Sequence, residues 1–199
     1  MITARKCCYC LDAEMEYDIV KAVRQIAIAL IFIMINLNVE FTAMRVNFIP
    51  SFIGFYLVYM VAHVLFEGPK LSFMKNVCLA CFFFSLMDWI FGLMNAQLGY
   101  VGFGIRIAEF ICNVIFMVLL FNRLYHLAAE AELDEYADTF RSIMIIYIIV
   151  YVGFYLTSML LGSRFIVAAL GILIYAMIAY TLVTVFRFAR ILQRKSEEE

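Results

Sequence analysis

The stretch that decides the fold is SIMIIYIIVYVGFYLTSMLLG, residues 142–162, which holds no charged side chain. The hydrocarbon core of a membrane is about 30 Å thick, and roughly 20 helical residues cross it at about 1.5 Å each. The apolar side chains of this stretch are continuous rather than alternating, which argues against a strand of a transmembrane β-barrel. We therefore expect residues 142–162 to form a membrane-spanning helix.

Five other stretches of comparable length and apolar character lie around this one. Together the six are residues 22–40, 46–66, 75–95, 101–123, 142–162 and 165–187. The first is the weakest, because Arg24 and Asn36 leave a short apolar centre, and the acidic residues before it argue against a signal peptide. The predicted fold class is all-α: a polytopic transmembrane helix bundle with six spans.

The composition agrees with an integral membrane protein. Of the 199 residues, 66% are hydrophobic and 16% are charged, and the mean hydropathy is +0.96, which leaves too few charges to cover a water-exposed domain. The formal net charge of -1 gives no overall-charge argument for nucleic-acid binding. We predict a single integral membrane domain over residues 1–199, with the lipid bilayer as a partner, no nucleic acid, and residues 1–21 and 188–199 outside the membrane.

Basic residues near the ends of the spans predict the orientation. One side, made of the N-terminus, the connections after spans two and four and the C-terminus, carries 12 of the 15 Lys and Arg residues. They are Arg5, Lys6, Lys21, Arg24, Lys70, Lys75, Arg123, Arg141, Arg187, Arg190, Arg194 and Lys195. The other side has Arg45, Arg106 and Arg164. We expect both termini to lie in the cytoplasm.

Three charged side chains lie at membrane depth, where an ionised group costs about 2.5 kcal/mol or more unless it is paired or hydrated. Asp88 in span three lies about 10 Å below the outer boundary, and Arg106 and Glu109 in span four lie about 8 and 12 Å below it. Arg106, Glu109 and Asn113 share one helical face by their spacing. The short connection between spans three and four is expected to bring Asp88 within reach of Arg106.

These residues support two interpretations. In the first, Asp88, Arg106, Glu109 and Asn113 line a ligand-binding site open to the outside, which binds or transports a small polar solute or cation, or relays protons. Its rim comes from the outer ends of spans one and two, at Glu40, Arg45 and Asn47. In the second, an Asp88–Arg106 pair only locks two helices together, and Glu109 lies near the headgroups. Three charged groups exceed one simple pair, which keeps the binding-site interpretation open beside the structural one.

The longest connection, residues 122–141, is acidic. It contains Glu130, Glu132, Asp134, Glu135 and Asp138. Its Ala, Leu and Glu content predicts that span four continues as a helix into water, and Asp138 or Thr139 is the predicted cap of span five. The connection is either a solvated linker or a docking surface for a cytoplasmic protein partner. The second alternative would make the protein a non-transporting sensor, assembly factor or partner subunit.

A short motif occurs in both halves of the chain. Residues 54–57 and residues 153–156 both read GFYL, at corresponding positions in spans two and five. Consecutive three-span halves have opposite orientations in the membrane, and inverted repeats of this kind build many secondary transporters. The motif indicates a possible 3+3 inverted repeat.

Enzymatic chemistry has little support. Cys78 and Cys81 have the C-x-x-C spacing of thiol oxidoreductases and zinc sites, but they lie inside an apolar span without an electropositive setting. A zinc site joining the cysteines of residues 7–10 to His63 matches no closed motif. No catalytic motif is recognised, so the sequence leans against an enzyme without excluding one, and it predicts no metal and no cofactor.

The basic run at the C-terminus falls largely on one helical face. It consists of Arg187, Arg190, Arg194 and Lys195. We interpret it as a topology anchor that extends toward anionic headgroups, with a specific lipid or nucleic-acid site as the alternative.

Two segments, Ile35–Asn38 and Val46–Leu57, carry a resemblance to a family. INLN and VNFIPSFIGFYL resemble uncharacterised multi-pass membrane proteins of Gram-positive bacteria, which open the second span with a Pro-x-Phe-Ile-Gly-aromatic signature. Where that family often has Asp after the proline, this chain has Ser51. The resemblance implies a bacterial cytoplasmic membrane and no particular activity. The chain is more loosely similar to substrate-binding subunits of energy-coupling-factor transporters, although Ala27 and Ala29 depart from their Ala-x-x-x-Ala pattern.

Overall fold

The computed structural model describes residues 3–35, 38–41, 44–47, 50–94, 99–160 and 164–198, with the backbone alone for residues 3–17, both strands and several helix ends. In these ranges the chain forms six helices and one two-stranded hairpin. They are α1 (Thr3–Met34), β1 (Asn38–Phe41), β2 (Met44–Asn47), α2 (Ser51–Leu65), α3 (Gly68–Leu93), α4 (Gly99–Glu130), α5 (Asp134–Leu160) and α6 (Arg164–Glu198). The chain divides into two compact units, one of Met1–Ala96 with Thr184–Glu199 and the other of Gln97–Val183.

Four helices are long and apolar enough to cross a membrane. They contain the segments Gly68–Gly92, Val101–Glu130, Asp134–Thr157 and Ala169–Lys195. Large apolar side chains lie exposed along one face of α3 and one face of α5. They are Leu79, Phe83, Met87, Ile90 and Met94 on α3, and Ile145, Ile146, Ile149 and Leu156 on α5. Exposed apolar stripes of this length are unfavourable in water and match the hydrocarbon of a bilayer. The protein is a helical membrane protein.

The first two predicted spans are wrong in part. Residues 22–40 were expected to be helical, but α1 ends at Met34 and Asn38–Phe41 is a strand. Residues 46–66 were expected to be helical too, but β2 covers Met44–Asn47 and α2 has only 15 residues, about 22 Å. The all-α prediction therefore holds for the helices and misses the hairpin.

The hairpin has a physical basis in its cross-strand pairs. Val39 lies opposite Val46, and Glu40 lies opposite Arg45, in an antiparallel register that also pairs Phe41 with Met44. β-branched and aromatic residues and opposite charges in facing positions favour paired strands. A hydropathy average counts the valines as span residues and does not detect this pairing.

In the first unit, α1, α2 and α3 pack as consecutive antiparallel neighbours. Gly54, near the start of α2, lies so close to the end of α1 that a Cβ atom on it would be 2.5 Å from both the Ala29 carbonyl oxygen and Ile33 Cγ1. The Phe52 ring contacts the Trp89 ring near the end of α3, with centroids 5.7 Å apart. β2 also packs against α3. The hairpin, the start of α2 and the end of α3 therefore gather at one end of this unit.

In the second unit, α4 and α5 form an antiparallel pair. The Phe121 and Phe140 rings meet near the end of α4 and the start of α5, with centroids 6.4 Å apart. Phe110, earlier on α4, stacks on Tyr155, later on α5, at 4.1 Å. The core face of α4 continues through Met117, Leu120 and Leu124, all of which are buried.

The acidic connection is a tight turn between these two helices. As predicted, α4 continues as a helix through Glu130. Glu132 then adopts a left-handed φ of 57°, while the Leu133 amide donates to the Ala128 carbonyl at 2.9 Å and the Glu132 amide donates to the Ala129 carbonyl at 3.1 Å. This is the Schellman arrangement of helix ends.

The predicted cap of α5 is wrong. The helix begins at Asp134, so Asp138 and Thr139 lie within it, and Thr139 Oγ1 donates to the Glu135 carbonyl at 2.7 Å. Asp134 and Glu135 occupy the first turn, where their charges favour the positive end of the helix dipole. The Schellman turn at Glu132 precedes the start of α5, which lies five residues earlier than a cap at Asp138 would place it.

Candidate polar site in the membrane helices

Arg106, Glu109 and Asn113 lie on the core face of α4. Because α4 is helical throughout Gly99–Glu130, their spacing places them in line with the buried Met117 of that face. Arg106 is exposed, while Glu109 and Asn113 are half-buried. Counted from Val101, where the apolar segment begins, they lie about 8, 12 and 18 Å along the helix axis. The three side chains thus form a polar row that enters the membrane segment from one end.

Asn113 ends this polar row with an unpaired acceptor. Its Oδ1 atom is buried, and no residue in the described part of the chain donates a hydrogen bond to it. An unpaired buried carbonyl costs about 1 to 3 kcal/mol, and lipid offers it no donor. The site therefore favours a species that brings a donor or a positive charge to this oxygen.

A row of stacked aromatic side chains borders the polar face. Phe110 stacks on Tyr151 and Tyr155 of α5, with centroids 5.3 and 4.1 Å away, and Tyr147 stacks on Tyr151 at 5.0 Å. We call these four residues the aromatic row. Phe110 lies one turn from both Arg106 and Asn113 on α4. The aromatic row supplies ring faces and phenol groups beside the polar residues.

The sequence analysis did not predict the aromatic row. The signal was available in the spacing of Tyr147, Tyr151 and Tyr155, which recur every four residues and so share one face of a helix. What the sequence did not indicate is that Phe110 of the neighbouring helix lies against that face.

Asp88 lies in the first unit, near the end of α3. By helical periodicity it continues the row formed by Cys78, Cys81 and Ser85, which are buried, although Asp88 itself is exposed. One turn before it, the Ser85 hydroxyl hydrogen-bonds the Ser51 hydroxyl at 2.5 Å. Asp88 therefore lies one helical turn from the serine that contacts the start of α2. This serine pair was not predicted.

The three predicted rim residues lie in the hairpin. Glu40, Arg45 and Asn47 were expected at the ends of helical spans, which is wrong, because they belong to β1 and β2. Glu40 is the direct cross-strand neighbour of Arg45, and Asn47 is opposite Asn38. Since β2 packs against α3, the hairpin and Asp88 share the same unit.

The predicted site residues thus fall into two groups. Asp88 and the hairpin belong to the first unit, and Arg106, Glu109 and Asn113 belong to the second. The contact between Asp88 and Arg106 stays a prediction. Asp88 and Arg106 are both close in sequence to residues 94–98, which lie between α3 and α4.

The cysteines and histidine considered for redox or metal chemistry do not assemble. Cys78 and Cys81 are buried cysteines in α3, and Cys112 is a half-buried cysteine in α4. His63 Nδ1 lies 2.9 Å from the Met60 carbonyl of its own helix. No group of three or more His, Cys, Asp or Glu side chains within the described residues is placed to hold a metal ion. The side chains of residues 7–10, the other predicted members of a zinc site, lie outside that part of the structure.

Comparison with protein-family models, curated proteins and solved structures finds no match to this chain. The chemistry of the site is therefore argued from its own groups. The α4–α5 pair offers a guanidinium, a carboxylate, an unpaired carbonyl oxygen and phenol hydroxyls. Such a set binds small polar or charged species.

Proposed function

We propose that this protein binds or transports a small polar solute or ion at the polar row of Arg106, Glu109 and Asn113. The observation that carries the proposal is the buried Asn113 Oδ1 atom, to which no described residue donates. A helix pair that served only as a structural lock would gain nothing from an unpaired carbonyl oxygen in the membrane. A solute with an N–H or O–H group, a water molecule or a cation would satisfy it.

The proposal includes a topology of six membrane-embedded helices with both termini in the cytoplasm of a bacterial cell. Its support is the distribution of basic residues, of which 12 of 15 fall on one side. α1 and α2 are antiparallel, so together they return the chain to the side where it began, and α3 to α6 add four crossings. In this orientation the polar row opens to the outside.

The 3+3 inverted repeat receives less support. Gly54 of the first GFYL motif lies against α1, whereas a Cβ atom on Gly153 of the second motif would meet no described atom within 4 Å. The two motifs therefore have different surroundings, and the proposed binding site does not depend on the repeat.

A second candidate function uses the acidic turn between α4 and α5. Glu130, Glu132, Asp134, Glu135 and Asp138 are all exposed on it. Arg123 forms an ion pair with Glu130 at 2.9 Å, which leaves the other carboxylates facing solvent for a basic partner protein. Such a partner would define a sensor or partner subunit rather than a transporter.

Thiol labelling in intact cells tests the first proposal. In a background with all six cysteines replaced, Arg106→Cys, Glu109→Cys and Asn113→Cys are treated with a membrane-impermeant thiol reagent. We expect labelling from outside at positions 106 and 109, because a binding site must admit water. Ile115→Cys, on the exposed apolar face of the same helix, is the matched control that lipid should protect.

Glu130→Cys reports the opposite side of the membrane and should react only after permeabilisation. Protection of positions 106, 109 and 113 in folded protein, with Glu130→Cys behaving as expected, would contradict an outward-facing site. The second candidate predicts that a partner protein copurifies through the acidic turn. Neutralising Glu132, Asp134 and Glu135 should then abolish the copurification.

A further inference from the structure

The C-terminal part of α6 is amphipathic. Arg187, Arg190 and Arg194 are exposed and recur at spacings of three and four, so they form one helical face, which we call the arginine face. On the other side of the helix, apolar residues are buried. They are Val185, Phe188, Ala189 and Leu192. Packing therefore fixes the rotation of this helix end and holds the arginine face away from the protein.

The guanidinium groups of the arginine face meet no acceptor among the described residues. Within the part of the chain that the structure describes, Arg187, Arg190 and Arg194 form no hydrogen bond or ion pair, in contrast to Arg123, which pairs with Glu130. Each guanidinium carries five N–H donors in a planar fork that matches a phosphate group. Three such groups in line present a surface suited to several phosphate oxygens.

The position of the arginine face along α6 indicates the depth at which it lies in a membrane. Residues 165–186 form an uncharged run that extends about 33 Å as a helix, close to the thickness of a hydrocarbon core of about 30 Å. Arg187 is the first charged residue after this run, and Arg194 lies about 10 Å further along the axis. The arginine face therefore spans the depth of the lipid headgroups.

We propose that the arginine face binds the phosphate groups of anionic phospholipids and that this contact holds the end of α6 at the membrane surface. Bidentate guanidinium–phosphate hydrogen bonds are stronger and more directional than contacts of a lysine ammonium. The same charges would suit an acidic protein surface, such as the acidic turn of a second copy. The matched length of the uncharged run favours the lipid.

Native mass spectrometry of the full-length protein, titrated in detergent with phosphatidylglycerol or phosphatidylcholine, tests this proposal. We expect phosphatidylglycerol to bind at least tenfold more tightly than phosphatidylcholine. Combined replacement by Arg187→Gln, Arg190→Gln and Arg194→Gln should abolish that preference, and combined replacement by Lys should retain only part of it. Arg141→Gln, at an exposed arginine of α5, is the control that should leave the preference unchanged.

An unchanged preference in the triple Gln protein would overturn the proposal. If the triple Gln protein kept its lipid preference and also changed from dimer to monomer, the arginine face would bind a second copy of the chain instead of lipid. If the triple variant does not fold, the single Arg190→Gln variant decides, because its exposed side chain can be removed without disturbing the buried face. It should weaken phosphatidylglycerol binding several-fold.

Discussion

Gly54 of α2 and Ala29 of α1 lie in backbone contact: a Cβ atom on Gly54 would be 2.5 Å from the Ala29 carbonyl oxygen. The same Cβ would be 3.1 Å from Phe32 Cβ, so the obstruction is on more than one side. Close approach of this kind is a general use of glycine where two membrane helices pack. The glycine in the GFYL motif is therefore a packing residue in α2.

Gly54→Ala should destabilise the protein. Because the clash is with a carbonyl oxygen rather than a flexible side-chain end, α1 and α2 must move apart, at a cost of about 1 to 3 kcal/mol. The matched control is Gly153→Ala in the second GFYL motif, where the added Cβ meets no described atom within 4 Å and alanine has a higher helix propensity than glycine by about 1 kcal/mol. Thermal unfolding in detergent should show a lower Tm for the first variant and an unchanged or higher Tm for the second. Equal losses in both would contradict this packing.

Glu132→Gly should stabilise the turn between α4 and α5. Glu132 has a φ of 57°, which costs a residue with a Cβ about 1 to 2 kcal/mol and costs glycine little. We expect a higher Tm and slower amide exchange at Leu133, whose N–H closes the turn. Glu135→Gly, which removes the same side chain from inside α5, should lower the Tm by helix propensity. A Tm decrease in both variants would show that the carboxylate of Glu132 matters more than its backbone conformation.

The sequence predicts α3 to α6 because their apolar runs are long and nearly free of charge, so average hydropathy is sufficient. It fails between Met34 and Ser51, where valines that count toward a span in a hydropathy average pair across two strands instead. The facing positions of Glu40 and Arg45 become apparent only after the strands and their register are known. Helical periodicity does not predict such a register.

The candidate site divides in the same way. The shared face of Arg106, Glu109 and Asn113 follows from periodicity within one helix, and the helical course of α4 agrees with it. The stacking of Phe110 on Tyr155 and the Ser51–Ser85 hydrogen bond join different helices. Such contacts depend on the rotation and offset of two helices against each other, which neither segment encodes alone.

Substitutions of Ser51 and Ser85 should have strongly non-additive effects on the free energy of unfolding, because the two hydroxyls share a hydrogen bond. Ser51→Ala leaves the buried Ser85 hydroxyl without its partner, and Ser85→Ala does the same to Ser51, so each single change should cost about 1 to 2 kcal/mol. The double variant removes both hydroxyls and should cost less than the sum of the two. A double-mutant cycle from chemical unfolding measures the difference, with Ser142→Ala on the exposed surface of α5 as a control of small effect. Additive losses would mean that the two hydroxyls do not depend on each other.

Asn113→Leu separates an effect on binding from an effect on stability, because the two interpretations of the polar row predict opposite changes in Tm. If the unpaired Oδ1 serves a solute, its replacement by a similar-sized apolar side chain removes a cost of about 1 to 3 kcal/mol, so the Tm should stay or rise while solute binding is lost. If Asn113 instead contributes to a structural lock, the Tm should fall. Asn122→Leu, at an exposed asparagine on the opposite face of α4, is the matched control and should change neither quantity by more than a small amount. The proposal holds that Asn113 Oδ1 is unpaired because a ligand pairs with it. A lower Tm for Asn113→Leu, together with unchanged thiol labelling at position 109, would contradict that proposal.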